Sequence, residues 1–259
     1  MSCPGAVSAL LGYAAAAAGG YGTGVDQSAV AATGGVHGFP AALTSFIGRA
    51  GPVREVAGLL EEYRLVTVTG PGGVGKTRLA GEVARGAAGR FADGAWLAEL
   101  APVGDPAQVA AVVAAALGVR EQPGVRAEEA LPRVMARQQL MLVLDNCEHV
   151  IGAAAELCAG LLAACDDVRV LATSREPLAV AGEARYRLGP LTVPGEGPAE
   201  AGVPEAVVLF ADRARQADAR FAVDEQTGPA VARVVRRLDG MPLVSRVTRN
   251  DDVGARSCH

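Results

Sequence analysis

The chain has 259 residues, which is enough for one large domain or for one domain with a small companion. Half of the residues are hydrophobic but only 4% are aromatic, so the core must be built mainly from alanine, valine and leucine. The formal net charge of −4 argues against a broadly basic, nucleic-acid-binding surface, so DNA contact would require another domain or a local patch.

The first residues are rich in alanine and glycine and almost uncharged, which predicts a flexible leader over residues 1–42. Val7–Ala18 is apolar enough to resemble the core of a signal peptide, but signal peptides normally begin with positive charge and the first basic residue is Arg49. No apolar run approaches the roughly 18 residues of a transmembrane helix. We therefore expect a cytoplasmic protein without membrane contact.

The cysteines have no C-x-x-C pair or other spacing typical of a metal site, so we do not expect bound zinc. They are Cys3, Cys147, Cys158, Cys165 and Cys258. Cys158 and Cys165 lie on one face of a predicted helix. The simplest interpretation is that they are small, buried, apolar side chains of a protein kept reduced.

From residue 43 onward, hydrophobic periodicity predicts helices and strands in alternation. The expected helices cover residues 51–63, 77–91, 105–117, 127–138 and 148–165. The expected strands are RLVTVTG, the segment 95–100, QLMLVLDN, VRVLATS and ARYRL. Short β-branched or apolar runs suit strands that are buried on both faces of a parallel sheet. The alternation predicts an α/β domain over residues 43–192, with helices on both faces of the sheet.

The composition changes after this domain. Residues 193–203 are punctuated by proline and glycine, which predicts a linker. Glu205–Arg220 and Glu225–Leu238 have helical periodicity without intervening strands, so a small, partial helical subdomain is expected over residues 204–243. Residues 244–259 are polar, show no helical periodicity and form an atypical tail.

Between the first predicted long strand and the next helix, the sequence GPGGVGKT fits the phosphate-loop pattern G-x-x-x-x-G-K-[ST] at every position. Glycines allow backbone N–H groups to turn inward around phosphates, and the following helix aims its positive end at the same oxygens. The lysine is the only one in the chain; it can reach the β- and γ-phosphates, while the threonine hydroxyl can bind Mg²⁺. An ordinary glycine-rich turn is the alternative, but the strand–loop–helix context favours nucleotide binding. The expected ligands are Gly70, Pro71, Gly72, Gly73, Val74, Gly75, Lys76 and Thr77.

Two further side chains follow predicted strands. Asp145 ends the apolar strand LMLVLD, where a second Mg²⁺ ligand is expected; a simple strand-end turn or cap is the alternative. Arg175 follows the strand VLATS and could lie beside the γ-phosphate, where it would distinguish ATP from ADP. A surface arginine in an ion pair is the competing interpretation. Lys76, Asp145 and Arg175 are therefore the candidate catalytic residues.

Together the segments resemble the NB-ARC/STAND class of signalling ATPases, and most of all the ATPase module of bacterial regulators with LuxR-type or SARP-type DNA-binding domains. The matching strings are LTSFIGR, RLVTVTGPGGVGKTRLA, FADGAWLAEL, LVLDNCEHV, VLATSREPL and RRLDGMPL. The resemblance implies a P-loop NTPase fold with a five-stranded parallel sheet. It also implies a switch in which ADP locks a closed state and ATP exchange permits homo-oligomeric assembly.

The same resemblance implies contacts with the adenine nucleotide outside the phosphate loop. Ile47 and Arg49 would lie near the adenine, Arg78 would extend the phosphate-loop contacts, and Pro242 of the GMPL segment would close over the base. The implied ligands are ATP or ADP with Mg²⁺. DNA would be contacted only through domains that this chain lacks.

The sequence also departs from the family pattern. Ala50 replaces the usual glutamate after the arginine, and Asn146 follows Asp145 in place of a second acid. An amide cannot act as a general base at neutral pH, so we expect slow hydrolysis or none, although Glu148 could substitute. A freestanding P-loop hydrolase or kinase is the alternative function.

The chain ends differently from the family, which continues with an apolar helix after the position of Leu243. The winged-helix and repeat regions of the family are absent, so a truncated or frameshifted reading frame is the preferred explanation. A short family member with a disordered tail is the alternative. The overall hypothesis is an ATP/ADP-binding regulatory switch of a signalling or transcriptional-regulator ATPase.

Overall fold

The computed structural model describes residues 35–119, 124–195 and 202–242. Contacts divide this part of the chain into two compact units. Apart from the gaps, the larger unit contains residues 35–45 and 49–189, and the smaller unit contains residues 46–48 and 190–242. The predicted leader up to residue 34 and the predicted tail lie outside the described residues, as does most of the predicted linker, so the predicted domain boundaries stay a prediction.

The larger unit alternates strands and helices in the order that the sequence predicts. Its strands are β1 (Val36–His37), β2 (Leu65–Thr69), β3 (Ala95–Glu99), β4 (Met141–Asp145), β5 (Arg169–Ser174) and β6 (Glu183–Arg187). Its helices are α1 (Ala50–Glu62), α2 (Lys76–Ala87), α3 (Val109–Ala116), α4 (Ala127–Met135) and α5 (Ile151–Ala164). Short 3-10 turns at residues 88–90, 106–108 and 147–149 occupy ends of segments predicted as continuous helix.

The strands form one sheet in the order β1-β3-β4-β5-β2-β6, with every neighbouring pair parallel. Successive side chains of β4 point to opposite faces, and both sets are buried. Leu142 and Leu144 pack with α3, α4 and α5, while α2 contacts the sheet and α1 packs on α2. The predicted α/β class, with a parallel sheet and helices on both of its faces, is confirmed.

The expected number of five strands is wrong by one, because β1 adds a sixth strand inside the predicted leader. Ala95 N donates a hydrogen bond of 3.0 Å to Gly35 O, and the ring of His37 stacks on Trp96 with 3.9 Å between centroids. A two-residue strand has too few side chains to give a periodic signal, so only its partner strand reveals it.

The smaller unit contains two helices, α6 (Glu205–Ala217) and α7 (Gly228–Arg237), as the sequence predicts. Their apolar faces pack with residues of the preceding segment, including Leu191 and Val193. Phe210 and Phe221 make an edge-to-face contact with ring centroids 6.1 Å apart. Among the described residues, no helix is both long enough and apolar enough to cross a membrane.

Candidate nucleotide-binding site

The parallel sheet brings three chain segments to the same edge. Strands β2, β4 and β5 all end there, and the register pairs Thr69 with Ser174 and Leu144 with Ala172. The loop after β2, the end of β4 at Asp145 and the residues after β5 therefore meet, although they are far apart in sequence. The carboxyl edge of a parallel sheet is the common ligand position in such folds.

The loop between β2 and α2 has a backbone that requires glycine. Gly70 has φ 153°, and a Cβ atom there would lie 2.6 Å from the carbonyl oxygen of Leu188. Gly73 and Gly75 have φ of 76° and 97°, a region that other residues rarely adopt. Gly70, Gly73 and Gly75 are therefore explained by the backbone of the loop and by its close approach to Leu188.

Helix α2 presents an uncapped amino terminus to this loop. Gly75 is its N-cap, no side chain caps its first amides, and its first turn contains no acidic residue. The first N–H groups of a helix have no partner inside the helix and carry a partial positive charge. This end of α2 is therefore suited to an anion such as a phosphate.

Lys76 lies inside the loop and is only 6% exposed. Its Nζ donates hydrogen bonds to Gly70 O at 2.9 Å and Pro71 O at 3.2 Å. Burial lowers the pKa of Lys76 below the ordinary lysine value; Glu148 opposes this shift, Arg175 adds to it and Asp145 opposes it. Two neutral carbonyl oxygens compensate a buried ammonium only partly, so an anionic phosphate would be a better partner.

Asp145 is the buried centre of a hydroxyl network. Its carboxylate accepts from Thr77 Oγ1 at 2.8 and 3.0 Å and from Thr173 Oγ1 at 2.6 Å. Asn146 Nδ2 donates to the same carboxylate at 3.2 Å, and Asn146 N donates to Thr173 Oγ1 at 3.0 Å. Thr173 carries no signal in the sequence, because only the pairing of β4 with β5 brings it beside Asp145.

Arg175 and Glu148 form an ion pair next to the loop. Arg175 Nε lies 3.3 Å from Glu148 Oε1, and the Arg175 side chain is 69% exposed whereas that of Glu148 is 19% exposed. A Cβ atom built on Gly72 would lie 3.8 Å from Arg175 Nη2, so the guanidinium is beside the phosphate loop. The structure thus contains the ion pair of the competing interpretation, next to the phosphate loop, and a sensor role for Arg175 stays a prediction.

Arg49 and Arg78 are both fixed by backbone contacts of the larger unit. Arg49 is 5% exposed, has φ 62°, and donates from Nη2 to Gly189 O at 2.9 Å. Arg78 donates to Thr44 Oγ1 at 2.6 Å and also to the Thr44 carbonyl oxygen. Contact of either arginine with a nucleotide stays a prediction.

Ile47 and Pro242 belong to the smaller unit. Ile47 packs against its apolar cluster, and Pro242 is the last described residue. The neighbouring Gly240 has φ 64°, and its carbonyl oxygen accepts a hydrogen bond of 3.0 Å from Leu191 N. The adenine contacts expected of Ile47 and Pro242 stay predictions, and Leu243 lies outside the described residues.

The residues present fit a magnesium-bound polyphosphate. Thr77 and Asp145 place a hydroxyl and a carboxylate within 3.0 Å of each other, and hard oxygen ligands of this kind suit Mg²⁺, which takes its remaining ligands from phosphates and water. A glycine-rich loop of this kind lets backbone N–H groups turn towards phosphates, and Lys76 supplies a cation. The roles of these residues as ligands stay predictions.

A parallel α/β sheet with this strand–loop–helix and a buried aspartate at the same edge defines a P-loop NTPase fold. A sequence model of the family described as Novel STAND NTPase 1 matches residues 39–188, and the chain belongs to this family. The structural class expected from the sequence resemblance is therefore confirmed at the level of STAND NTPases.

Relatives in Mycobacterium tuberculosis match most of the chain. One, provisionally named an HTH-type transcriptional regulator, is 42% identical over 185 residues, which cover 71% of this chain and 20% of that protein. Another, named only as uncharacterized, is 40% identical over 201 residues, which cover 78% of this chain and 49% of that protein. The chain thus spans about a fifth of the first relative and about half of the second.

Solved structures share the fold at low sequence identity. A Walker-type ATPase of Pyrococcus abyssi aligns with a TM-score of 0.53 and 15% identity, over 78% of this chain and 66% of that one. A chain of the Drosophila ORC bound to DNA aligns with a TM-score of 0.51 and 15% identity, over 76% of this chain and 60% of that one. These likenesses support the fold alone.

Proposed function

We propose that this chain is an ATP/ADP-binding regulatory switch module that requires Mg²⁺ and hydrolyses ATP slowly or not at all. The observation that carries the proposal is the hydrogen bond of 2.8 Å from Thr77 Oγ1 to the Asp145 carboxylate. Thr77 directly follows Lys76 at the end of the glycine-rich loop. This contact joins the phosphate loop to a buried acid 68 residues further along the chain.

Each group of the loop has a distinct task. The backbone N–H groups of the loop and of the start of α2 would hold the phosphate oxygens, and Lys76 would supply a cation to the β- and γ-phosphates. Thr77 and Asp145 would hold the metal, with Thr173 fixing the carboxylate through its hydrogen bond. Bound Mg²⁺ would neutralise phosphate charge and orient the phosphate tail.

The surroundings of Asp145 support slow hydrolysis. The neighbouring Asn146 has φ 61° and uses its amide as a donor to Asp145, so it supplies no base. Glu148, the substitute that the sequence offers, pairs with Arg175. The alternative function, a freestanding hydrolase or kinase, would show a turnover of about 1–100 per second.

The family and the relatives support a wider regulatory role. We propose that the nucleotide state is passed to domains outside this chain, including a DNA-binding domain of the LuxR or SARP type, and that ATP favours a homo-oligomer as in NB-ARC proteins. The name of the mycobacterial regulator and the small share of it that this chain spans support this context. Ile47, Arg49 and Pro242 would contact the adenine.

The test is Mg²⁺-dependent binding of fluorescent ADP to the wild type, Lys76→Ala and Arg85→Ala. Arg85→Ala is the matched control, because this substitution removes one cation from the last turn of the same helix. In that turn Arg85 pairs with Glu82. We expect Lys76→Ala to weaken ADP binding at least about tenfold, as expected for loss of a charge-assisted contact, and Arg85→Ala to bind like the wild type. Equal binding by wild type and Lys76→Ala, with circular dichroism showing both folded, would refute the proposal.

A further inference from the structure

We propose that Glu148 sets the preference between ADP and ATP by competing with the γ-phosphate for Arg175. This inference rests on the proposed nucleotide switch and assigns a specificity role to a residue that lies outside the phosphate loop. In this arrangement the closed Glu148–Arg175 pair belongs to the ADP state, and ATP has to open it.

The geometry places one guanidinium between two anionic partners. On one side, Arg175 Nε lies 3.3 Å from Glu148 Oε1. On the other side, Arg175 Nη2 faces the loop, 3.8 Å from the position of a Cβ atom on Gly72. An anion bound in the loop therefore meets the same cation that now pairs with Glu148.

Glu148 is held poorly apart from this pair. Its side chain is 19% exposed, and its Oε2 is buried without a hydrogen-bond partner among the described residues. A half-satisfied, largely buried carboxylate gains more from a cation than a fully solvated carboxylate does. Arg175 is 69% exposed and can rotate towards either partner with little loss of packing.

Charge explains why the third phosphate is the one that matters. The loop amides, and Lys76 through the β-phosphate, serve phosphates that ADP and ATP share, so ADP leaves the Glu148–Arg175 pair intact. A γ-phosphate that draws Arg175 to itself would leave the partly buried Glu148 carboxylate without its cation. The free energy needed to separate Arg175 from Glu148 therefore opposes ATP and leaves ADP unaffected.

The experiment compares the dissociation constants of Mg·ADP and of Mg²⁺ with the β,γ-imido analogue of ATP, measured by calorimetry on the full chain. The variants are Glu148→Gln, Arg175→Gln, the double variant and Glu176→Gln. Glu176→Gln is the matched control, because Glu176 is exposed, lies next to Arg175 in sequence and has no ion pair among the described residues.

We expect Glu148→Gln to raise the affinity for the triphosphate relative to ADP about two- to fivefold, the range of a partly exposed ion pair. Arg175→Gln should lower the same ratio, and adding Glu148→Gln to Arg175→Gln should leave the ratio unchanged. Glu176→Gln should keep the wild-type ratio, since it removes charge but not the partner of Arg175.

The inference is overturned if Glu148→Gln strengthens both nucleotides equally, or if its effect persists without Arg175. In either case a general charge effect accounts for the result. If one of these outcomes is found while both nucleotides bind the wild type and Lys76→Ala weakens binding, the proposed function stands and only this inference fails. If the wild type binds neither nucleotide, both are refuted.

Discussion

The substitution Thr173→Val tests the hydroxyl network behind Asp145. Thr173 is fully buried in β5; it donates to Asp145 Oδ1 at 2.6 Å and accepts from Asn146 N at 3.0 Å. Valine has nearly the same shape but can make neither contact. Thr67 is the matched control, because it is also fully buried in a central strand and its hydroxyl has no hydrogen-bond partner among the described residues.

Thr173→Val should lower the free energy of unfolding, whereas Thr67→Val should not. In Thr173→Val, losing a hydrogen bond to a carboxylate costs about 1.5–3 kcal/mol, and leaving a backbone N–H unsatisfied costs about 1–3 kcal/mol. Both contacts share one hydroxyl and the site can relax, so we expect a total of about 2–4 kcal/mol. Thr67→Val removes an unsatisfied hydroxyl, so it should leave the free energy of unfolding unchanged or raise it by about 1 kcal/mol.

The assay is urea unfolding followed by the fluorescence of Trp96, the single tryptophan, which lies in β3 of the larger unit. When the m-values are equal, the difference between two urea midpoints multiplied by m gives the change in the free energy of unfolding. The reasoning is refuted if Thr173→Val unfolds at the wild-type midpoint, or if Thr67→Val is destabilised as much as Thr173→Val.

Two further predictions concern the backbone conformation at Gly240 and the raised pKa of Tyr186. Gly240→Ala should destabilise the smaller unit by more than about 2 kcal/mol, because φ is 64° and the new Cβ would clash with the carbonyl oxygen of Leu191. Gly160 lies in open space on α5, so Gly160→Ala should stabilise the protein by about 0.5–1 kcal/mol. Thermal melting followed by far-UV circular dichroism measures both changes. The pKa of Tyr186 is raised to about 12 by burial and by its hydrogen bond to Glu55. The folded state therefore keeps a proton that the unfolded chain loses near pH 10, so the free energy of unfolding should fall as pH rises from about 10 to about 12. Tyr186→Phe should not share this fall in urea midpoints; a parallel fall in both proteins would contradict the assignment.

Local patterns identified most of the larger unit. The predicted helix 51–63 is found at Ala50–Glu62, and the apolar strand ending in Asp145 is found at Met141–Asp145. Helices and strands place their buried side chains at a regular spacing along the chain. The spacing of apolar residues in a single sequence therefore reveals these elements. The motif Gly70–Thr77 is partly of the same kind, because Gly73 and Gly75 have positive φ angles that the local turn requires.

Other features could not be read locally. Strand β1 has only two residues, and its existence depends on the edge of β3 being available for pairing. The contact between Thr173 and Asp145 joins residues 28 apart, and it forms only because β5 lies next to β4 in the sheet. No periodicity encodes strand order, since that order is decided by how all the helices and strands pack together.

The sequence by itself therefore determined the phosphate loop, the alternation of strands and helices, and the lysine, hydroxyl and carboxylate that could hold a magnesium nucleotide. Only the tertiary structure decided which side chains meet: Thr173 behind Asp145, and Glu148 on Arg175 beside the loop. The physical reason is that a motif constrains its own backbone, whereas an ion pair between two loops depends on the strand register that brings their ends together.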